Sequence, residues 1–285
     1  HLSEDKFPEA HATMVAAFAD YQLDMSYMTR ERSWQRNLKS GVQYGHSVGA
    51  YDGDRMVGFT FVGLDDWCGE KAAFDAGTGI IPAYRGQAIA KGMFEHILPG
   101  LKAHGVSRFL LEVLQPNKAA IRAYEKSGFG ITREFACFDL YPGSFARSGL
   151  PASDIEVRVI DNPTVQSFIT EVDWQPSWEN SFSGMHRIRD ELIMLGAFDG
   201  MRCIGILVYY PLLQWIMCLV VDRHFRRQGV ASALLQALMT DLRLPEGVDC
   251  VKINNIDRCD ESTLSLVERA GADWVIDQYE MEYVF

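Results

Sequence analysis

The chain has 285 residues, 48% of them hydrophobic and 23% charged, which suits one large or two ordinary packed domains and argues against disorder. Its net charge of −11 lies almost wholly in the second half, with −1 over residues 1–150 and −10 over 151–285. An acidic chain without a basic tract is a poor nucleic-acid binder and favours cationic or amine ligands.

The start, HLSEDKFPEA, has no basic n-region or apolar stretch, so no secretory signal is expected. No apolar run reaches the roughly 20 residues of a membrane span; the longest, 208–221, is broken by Pro211 and Gln214. Residues 8–20 and 30–38 read as helices. Residues 46–51 and 56–62 alternate around Asp52-Gly53-Asp54, a hairpin signal. Residues 72–81 read as a strand, and 87–104 as a helix with Ile89, Met93, Ile97 and Leu101 on one face. A strand at 108–114, a helix at 117–127 stopped by Gly128 and a strand at 129–140 close the pattern. After a stretch rich in Gly, Pro and Ser at 141–153, the order repeats. A strand at 155–160, helices within 162–190, a hairpin at 191–210 and a strand at 212–221 come first. A helix at 228–242, a strand at 249–254, a helix at 260–269 and a strand at 273–284 follow. This predicts an α/β fold (an α+β mixed sheet), not a sandwich or a bundle. The six cysteines form no CxxC pair and no zinc spacing, so free thiols, no metal and a cytoplasmic location are expected.

The two halves match residue by residue at one place. Arg85, Gln87 and Ala90 correspond to Arg226, Gln228 and Ala231, and Gly128 to Gly271. The expected organisation is a first domain at 1–143, a linker at 144–153 and a second domain at 154–285. In both copies a strand enters a short loop that opens a helix. Unpaired N–H groups and the helix dipole make such a loop a site for an anionic pyrophosphate. Small residues at Gly86, Ala88 and Ala90 admit close approach, and Arg85 and Lys91 offer charge.

The strings IIPAYRGQAIA at 80–90 and NKAAIRAYEKSGF at 117–129, with RRQGVA at 226–231, resemble the GCN5-related N-acetyltransferase (GNAT) superfamily. The first loop departs from the family at Ala88, where glycine is usual. The resemblance covers nearly the whole chain as a tandem of two acyl-CoA N-acyltransferase domains. It implies a mixed sheet whose fourth and fifth strands splay, with pantetheine in the gap and the pyrophosphate on the loop. Acetyl-CoA is then the co-substrate, with no metal, and the acceptor is a primary amine of a small molecule or peptide. The cofactor positions implied are Ile80, Ile81, Arg85, Gly86, Gln87, Ala88, Ile89, Ala90 and Asn117. In the second copy they are Val221, Arg226, Arg227, Gln228, Gly229, Val230 and Ala231. Asn117 equally suits a helix N-cap.

The resemblance also implies roles. Tyr124 stands at the family's general-acid position, and a phenol is protonated at neutral pH. Glu112, in L-E-V, is the first choice of base, with Asp75 the runner-up. The second copy has Val267, Asn255 and Asp260 where the first has Tyr124, Glu112 and Asn117. The first half is therefore expected to catalyse and the second to bind. A tandem module that binds acyl-CoA without turnover is the alternative.

Overall fold

The structure, a computed structural model, describes residues 1–21, 25–148, 150, 154–241 and 249–285. The first half builds α1 (Phe7–Ala17), α2 (Arg30–Lys39), β1 (Val48–Asp52), β2 (Arg55–Trp67), β3 (Glu70–Ile80), α3 (Ile89–Ala103), β4 (Arg108–Leu114), α4 (Lys118–Lys126) and β5 (Gly130–Leu140). The second builds α5 (Pro142–Arg147), β6 (Glu156–Val159), α6 (Asn162–Ser167), α7 (Phe182–Arg187), β7 (Ile193–Asp199), β8 (Arg202–Tyr210), β9 (Trp215–Val221), α8 (Val230–Gln236), β10 (Val251–Asp257), α9 (Glu261–Arg269) and β11 (Asp273–Val284). The expected helix at 228–242 is shorter: α8 gives way to a π turn over Ala237–Asp241, and 242 lies outside the described residues. The start of the expected linker, 144–147, belongs to α5, while 149 and 151–153 also lie outside the described residues.

Contacts divide the chain into residues 1–133 with 279–285, and residues 134–278. In the first unit β1, β2 and β3 are antiparallel, and β4 joins β3 in parallel. Beside β4 lies the end of β11, followed by the start of β5. α3 covers this sheet with Met93, Phe94, Ile97 and Leu101 against Val62, Ala73, Leu111 and Val113. Three of the four apolar positions expected for α3 are thus buried core, and Ile89 packs at its edge. In the second unit β6, β7, β8 and β9 run antiparallel, β10 joins β9 in parallel and residues 135–140 of β5 pair with β10.

The units therefore part from the sequence boundaries at 143 and 153. A Gly/Pro/Ser-rich stretch marks where a chain tolerates irregular structure, but strand exchange leaves no compositional mark. The far C-terminus completes the first unit. Met281 is fully buried in its core, and Glu280 accepts from Thr132 Oγ1 at 2.9 Å and from Arg133 Nη2 at 2.6 Å. Deleting residues 279–285 is thus expected to unfold the first unit, through loss of a core strand and of a nearly buried ion pair. Thermal unfolding of the truncated chain checks this; two unchanged transitions would refute it.

The repeat extends to fine detail. β3 bulges at Ala76, between the pairs Phe61–Gly77 and Val62–Asp75, and β9 bulges at Met217, between Val208–Cys218 and Tyr209–Ile216. Gly58 and Gly205 occupy matching positions. A Cβ there would lie 2.6 Å from Ile80 Cδ1 and 2.7 Å from Val230 Cγ1, respectively. These landmarks equate Asp75 with Ile216 and Ile80 with Val221.

Candidate functional site

In the first unit the pairing of β3 with β4 ends at Asp75–Leu111, although β3 runs on to Ile80 and β4 to Leu114. The two strands splay there and leave backbone groups for a ligand. The Ile81 N–H is already given to Val57 O at 2.9 Å, so Ile81, a cofactor position implied by the resemblance, has no backbone donor to offer a ligand, which corrects that expectation. Alternation along an antiparallel strand turns the Ile80 amide to the open edge instead. In the second unit the Asp222 N–H is likewise given to Ile204 O, which turns the Val221 amide outward. There β9 and β10 pair only at Trp215–Lys252 before they splay.

Each splay faces the start of a helix. Gly86 and Ala88 have φ of 76° and 58°, and Arg227 and Gly229 have 62° and 87°. Both loops thus need two left-handed residues, and each has a glycine at only one of them. α3 and α8 begin without a side-chain cap and without proline. The other helices start with a capping side chain (Thr29, Asn117, Asp161, Ser181 and Asp260) or with a proline in the first turn. The N–H groups left open at Ile89, Ala90, Val230 and Ala231 are those a phosphate would take. Ala88→Gly is expected to hold stability within about 1 kcal/mol, since relief of left-handed strain is offset by glycine's extra freedom when unfolded. It should tighten CoA binding by the first unit. Calorimetry that finds unchanged affinity would mean that the Ala88 Cβ does not face the phosphates.

The expected charge contribution of Arg85 is corrected. Its guanidinium donates to Asp20 Oδ2 at 2.7 Å and to Ala17 O at 2.7 Å, and its Nε to Ile80 O at 3.2 Å. Arg226 does the same with Asp173 Oδ2 at 2.5 Å, Glu171 O at 2.9 Å and Val221 O at 3.1 Å. Both arginines tie the loop to the segment after the unit's first helices. Asp20 and Asp173 carried no motif that would have flagged them. Lys91 faces Glu95 at 3.5 Å, exposed on α3.

Asp75, on β3 where the splay begins, is buried. Its Oδ1 accepts from Gly77 N at 3.0 Å, and its Oδ2 from Thr78 Oγ1 at 2.7 Å and Tyr124 Oη at 3.3 Å. Burial pushes its carboxyl up to about 6, and the three donors hold it from going further. Tyr124 comes from α4, its ring edge-on to Phe94 and Phe129 at 5.8 Å from each. Burial, then the charge of Asp75, raises its phenol well above the usual value, so it stays protonated. Asn117 caps α4 through Ala120 N at 3.2 Å and also bonds the Tyr21 hydroxyl. Glu112 is half-buried and lies between Leu111 and Val113, both packed beneath α3. Strand alternation therefore turns Glu112 to the opposite face from Asp75 and Tyr124.

The second unit has a cleft of about 440 Å³, lined by the loop residues Arg227, Gly229 and Val230, by β9 and β10, and by Trp174. Trp178, Phe182 and Trp215 are core, while Trp174 is exposed at the cleft. Where the first unit has Asp75 and Tyr124, this cleft presents Ile216 and Val267. Asn254 and Asn255 together stand where the first unit has Glu112, between the core residues Ile253 and Ile256, and Asn255 donates to Ser177 Oγ at 3.1 Å and accepts from Gln278 at 2.9 Å. Asp260 caps α9, as Asn117 caps α4. His224 sits on a short 3-10 turn, and Asp222 accepts from its N–H and from Arg202. Among the described residues, no group of side chains could hold a metal, and no helix is long and apolar enough to cross a membrane.

The model of the acetyltransferase (GNAT) family matches residues 11–129 and 161–272. No curated protein matches the chain in sequence. Among solved structures, it is similar to a tandem GNAT protein from the clavulanic acid biosynthesis pathway (TM-score 0.73, 14% identity, 99% of this chain and 95% of that one). A GCN5-related N-acetyltransferase from Sphaerobacter thermophilus is similar at TM-score 0.69 and 15% identity, over 98% of this chain and 93% of that one. One from Kribbella flavida is similar at 0.59 and 16%, over 100% and 70%.

Proposed function

The chain belongs to the acetyltransferase (GNAT) family, and from that membership we propose that its first unit transfers an acetyl group from acetyl-CoA to a primary amine. The observation that carries this reading is the contact between Asp75 and Tyr124 at the splay of β3 and β4. The amine nitrogen forms a bond to the thioester carbon, and the carbon–sulfur bond breaks. The amine attacks in its neutral form, its ammonium proton having gone to solvent; one further proton must then leave nitrogen and one must reach sulfur. Asp75, titrating near 6, takes the first, directly or through water, and Tyr124 gives the second. The 3.3 Å contact between them returns the proton from Asp75 to the phenolate, so the site ends as it began.

This order places Asp75 ahead of Glu112. Glu112 lies across the sheet and serves better to orient an incoming amine than to reach Tyr124. The Ile80 amide and the open N–H groups of α3 suit pantetheine and pyrophosphate, with Gly86, Gln87 and Ala88 shaping the approach. The acceptor we infer is cationic, a small amine or a peptide N-terminus, in keeping with the acidic chain. A cytoplasmic location agrees with six free cysteines.

For the second unit, a cleft with Ile216 and Val267 where the first unit has Asp75 and Tyr124 favours an acyl-CoA held without turnover. Thiol release from acetyl-CoA over a panel of amines tests the whole reading. Transfer that survives in an Asp75→Asn chain but vanishes with Glu112→Gln would restore Glu112 as the base. Transfer that is lost on changing Asp222 and His224 to Ala would move the chemistry to the second unit.

A further inference from the structure

A row of hydrogen-bonding side chains lies behind Asp75, and the role inferred for it rests on the proposed roles of Asp75 and Tyr124. Thr78 Oγ1, which donates to Asp75, lies 2.9 Å from Thr60 Oγ1, and Thr60 Oγ1 lies 3.9 Å from Met93 Sδ. The bulge at Ala76 makes this row possible. Residues three apart on a regular strand face opposite sides, and the extra residue brings Asp75 and Thr78 to one side. Thr60 and Thr78 are register partners on β2 and β3, so their side chains share that face.

A hydroxyl has one proton to give, so the row has a direction. With Asp75 ionised, Thr60 donates to Thr78 and Thr78 to Asp75. With Asp75 protonated the row turns over: the carboxyl donates to Thr78, Thr78 to Thr60, and Thr60 to the thioether of Met93, a weak acceptor. Neither state leaves a buried hydroxyl without a partner, an omission that otherwise opposes proton uptake by a buried acid.

The second unit shows that these residues belong together. The cross-strand pair Thr60–Thr78 is replaced by the cross-strand pair Leu207–Leu219. Asp75, Met93 and Tyr124 are replaced by Ile216, Leu234 and Val267. All five positions become aliphatic, while the neighbouring Gly58, the bulge and Arg85 keep their counterparts in Gly205, Met217 and Arg226. Threonines that served only to pair strands would have no reason to leave with the carboxyl.

We propose that Thr60 and Thr78 are positioning residues that orient the Asp75 carboxyl and reverse their hydrogen bonds as it gains and loses its proton. Besides the Gly77 N–H, the groups that act on Asp75 are Tyr124 from α4 and the charge of Arg36 from α2, and Tyr21 stands beside Tyr124.

The test uses the full chain with ¹³C-labelled aspartate carboxyls, the Asp75 signal being identified by its loss in Asp75→Asn. Thr78→Val removes a donor to the ionised form, so the Asp75 midpoint should rise by about one pH unit or more. Thr78→Ser should restore it, and Thr60→Val should lower it, because the Thr78 hydroxyl then has no acceptor when Asp75 is protonated. The double variant should match Thr78→Val alone, because a broken row cannot break twice. With a responsive amine, the acid limb of kcat/KM should move by the same amount while KM for acetyl-CoA stays constant. A purely structural role would lower Tm and leave the midpoint in place. An unmoved midpoint in Thr78→Val, or single effects that simply add, overturns the proposal. If Thr78→Val does not fold, Thr60→Val takes its place: a lowered Asp75 midpoint there supports the row, and an unmoved or raised one overturns it. Full transfer in Asp75→Asn would remove the catalytic reading. Loss of transfer there with an unmoved midpoint in Thr78→Val would remove only the row.

Discussion

Replacing Tyr124 with Phe is expected to lower acetyl transfer by about 10²- to 10⁴-fold, the usual loss for a positioned acid, while acetyl-CoA still binds. The change deletes one hydroxyl and keeps the ring that packs on Phe94 and Phe129, so the helix and the cleft should stay in place. Asp75→Asn should lose a similar amount, and the double variant little more, since two members of one proton circuit do not fail independently. In the intact chain kcat/KM should fall as the pH drops through about 6, where Asp75 takes up its proton. The stability linkage has its own sign. A carboxyl whose folded pKa lies above its unfolded value favours the folded state fully below the unfolded pKa, and that contribution is lost as pH rises through the folded one. The stability of Asp75→Asn relative to the parent should therefore improve from about pH 4 to about pH 8. Undiminished transfer by Tyr124→Phe, measured with a responsive amine, would end the acid assignment.

Gly229→Asp is expected to abolish ligand binding by the second unit and to leave acetyl transfer by the first. Gly229 has a φ of 87°, a conformation that a side chain adopts only with strain, and it precedes the uncapped start of α8. An aspartate there adds a negative charge where the open N–H groups would meet a pyrophosphate. Titration with acetyl-CoA should fall from two molecules per chain to one, with the remaining site unchanged. A single site in the parent chain that survives Gly229→Asp would make the second loop vestigial. Loss of transfer together with binding would instead place the chemistry in the second unit.

The sequence by itself determined the tandem, the element order and the two helix-opening loops. Each is written in local signals: periodicity for α3, the turn at Asp52-Gly53-Asp54, and R-G-Q-A beside R-R-Q-G. It also brought Tyr124 and Asp75 into view through the family resemblance. Tertiary structure decided the rest. Residues 279–285 join the first unit because a strand pairs wherever an open edge and a buried face await it, and composition does not record which edge that is. Arg85, which looks like a phosphate ligand in a motif, is bound to Asp20, a residue 65 positions away. The sequence put Glu112 ahead of Asp75 as the base, but strand parity sends them to opposite faces, and of the two Asp75 is the one that bonds Tyr124. Thr60 and Thr78 carried no motif at all. They reach Asp75 because one extra residue at Ala76 shifts the pleat, and such a bulge depends on how two strands pair, a long-range relation that a local pattern of residues does not encode.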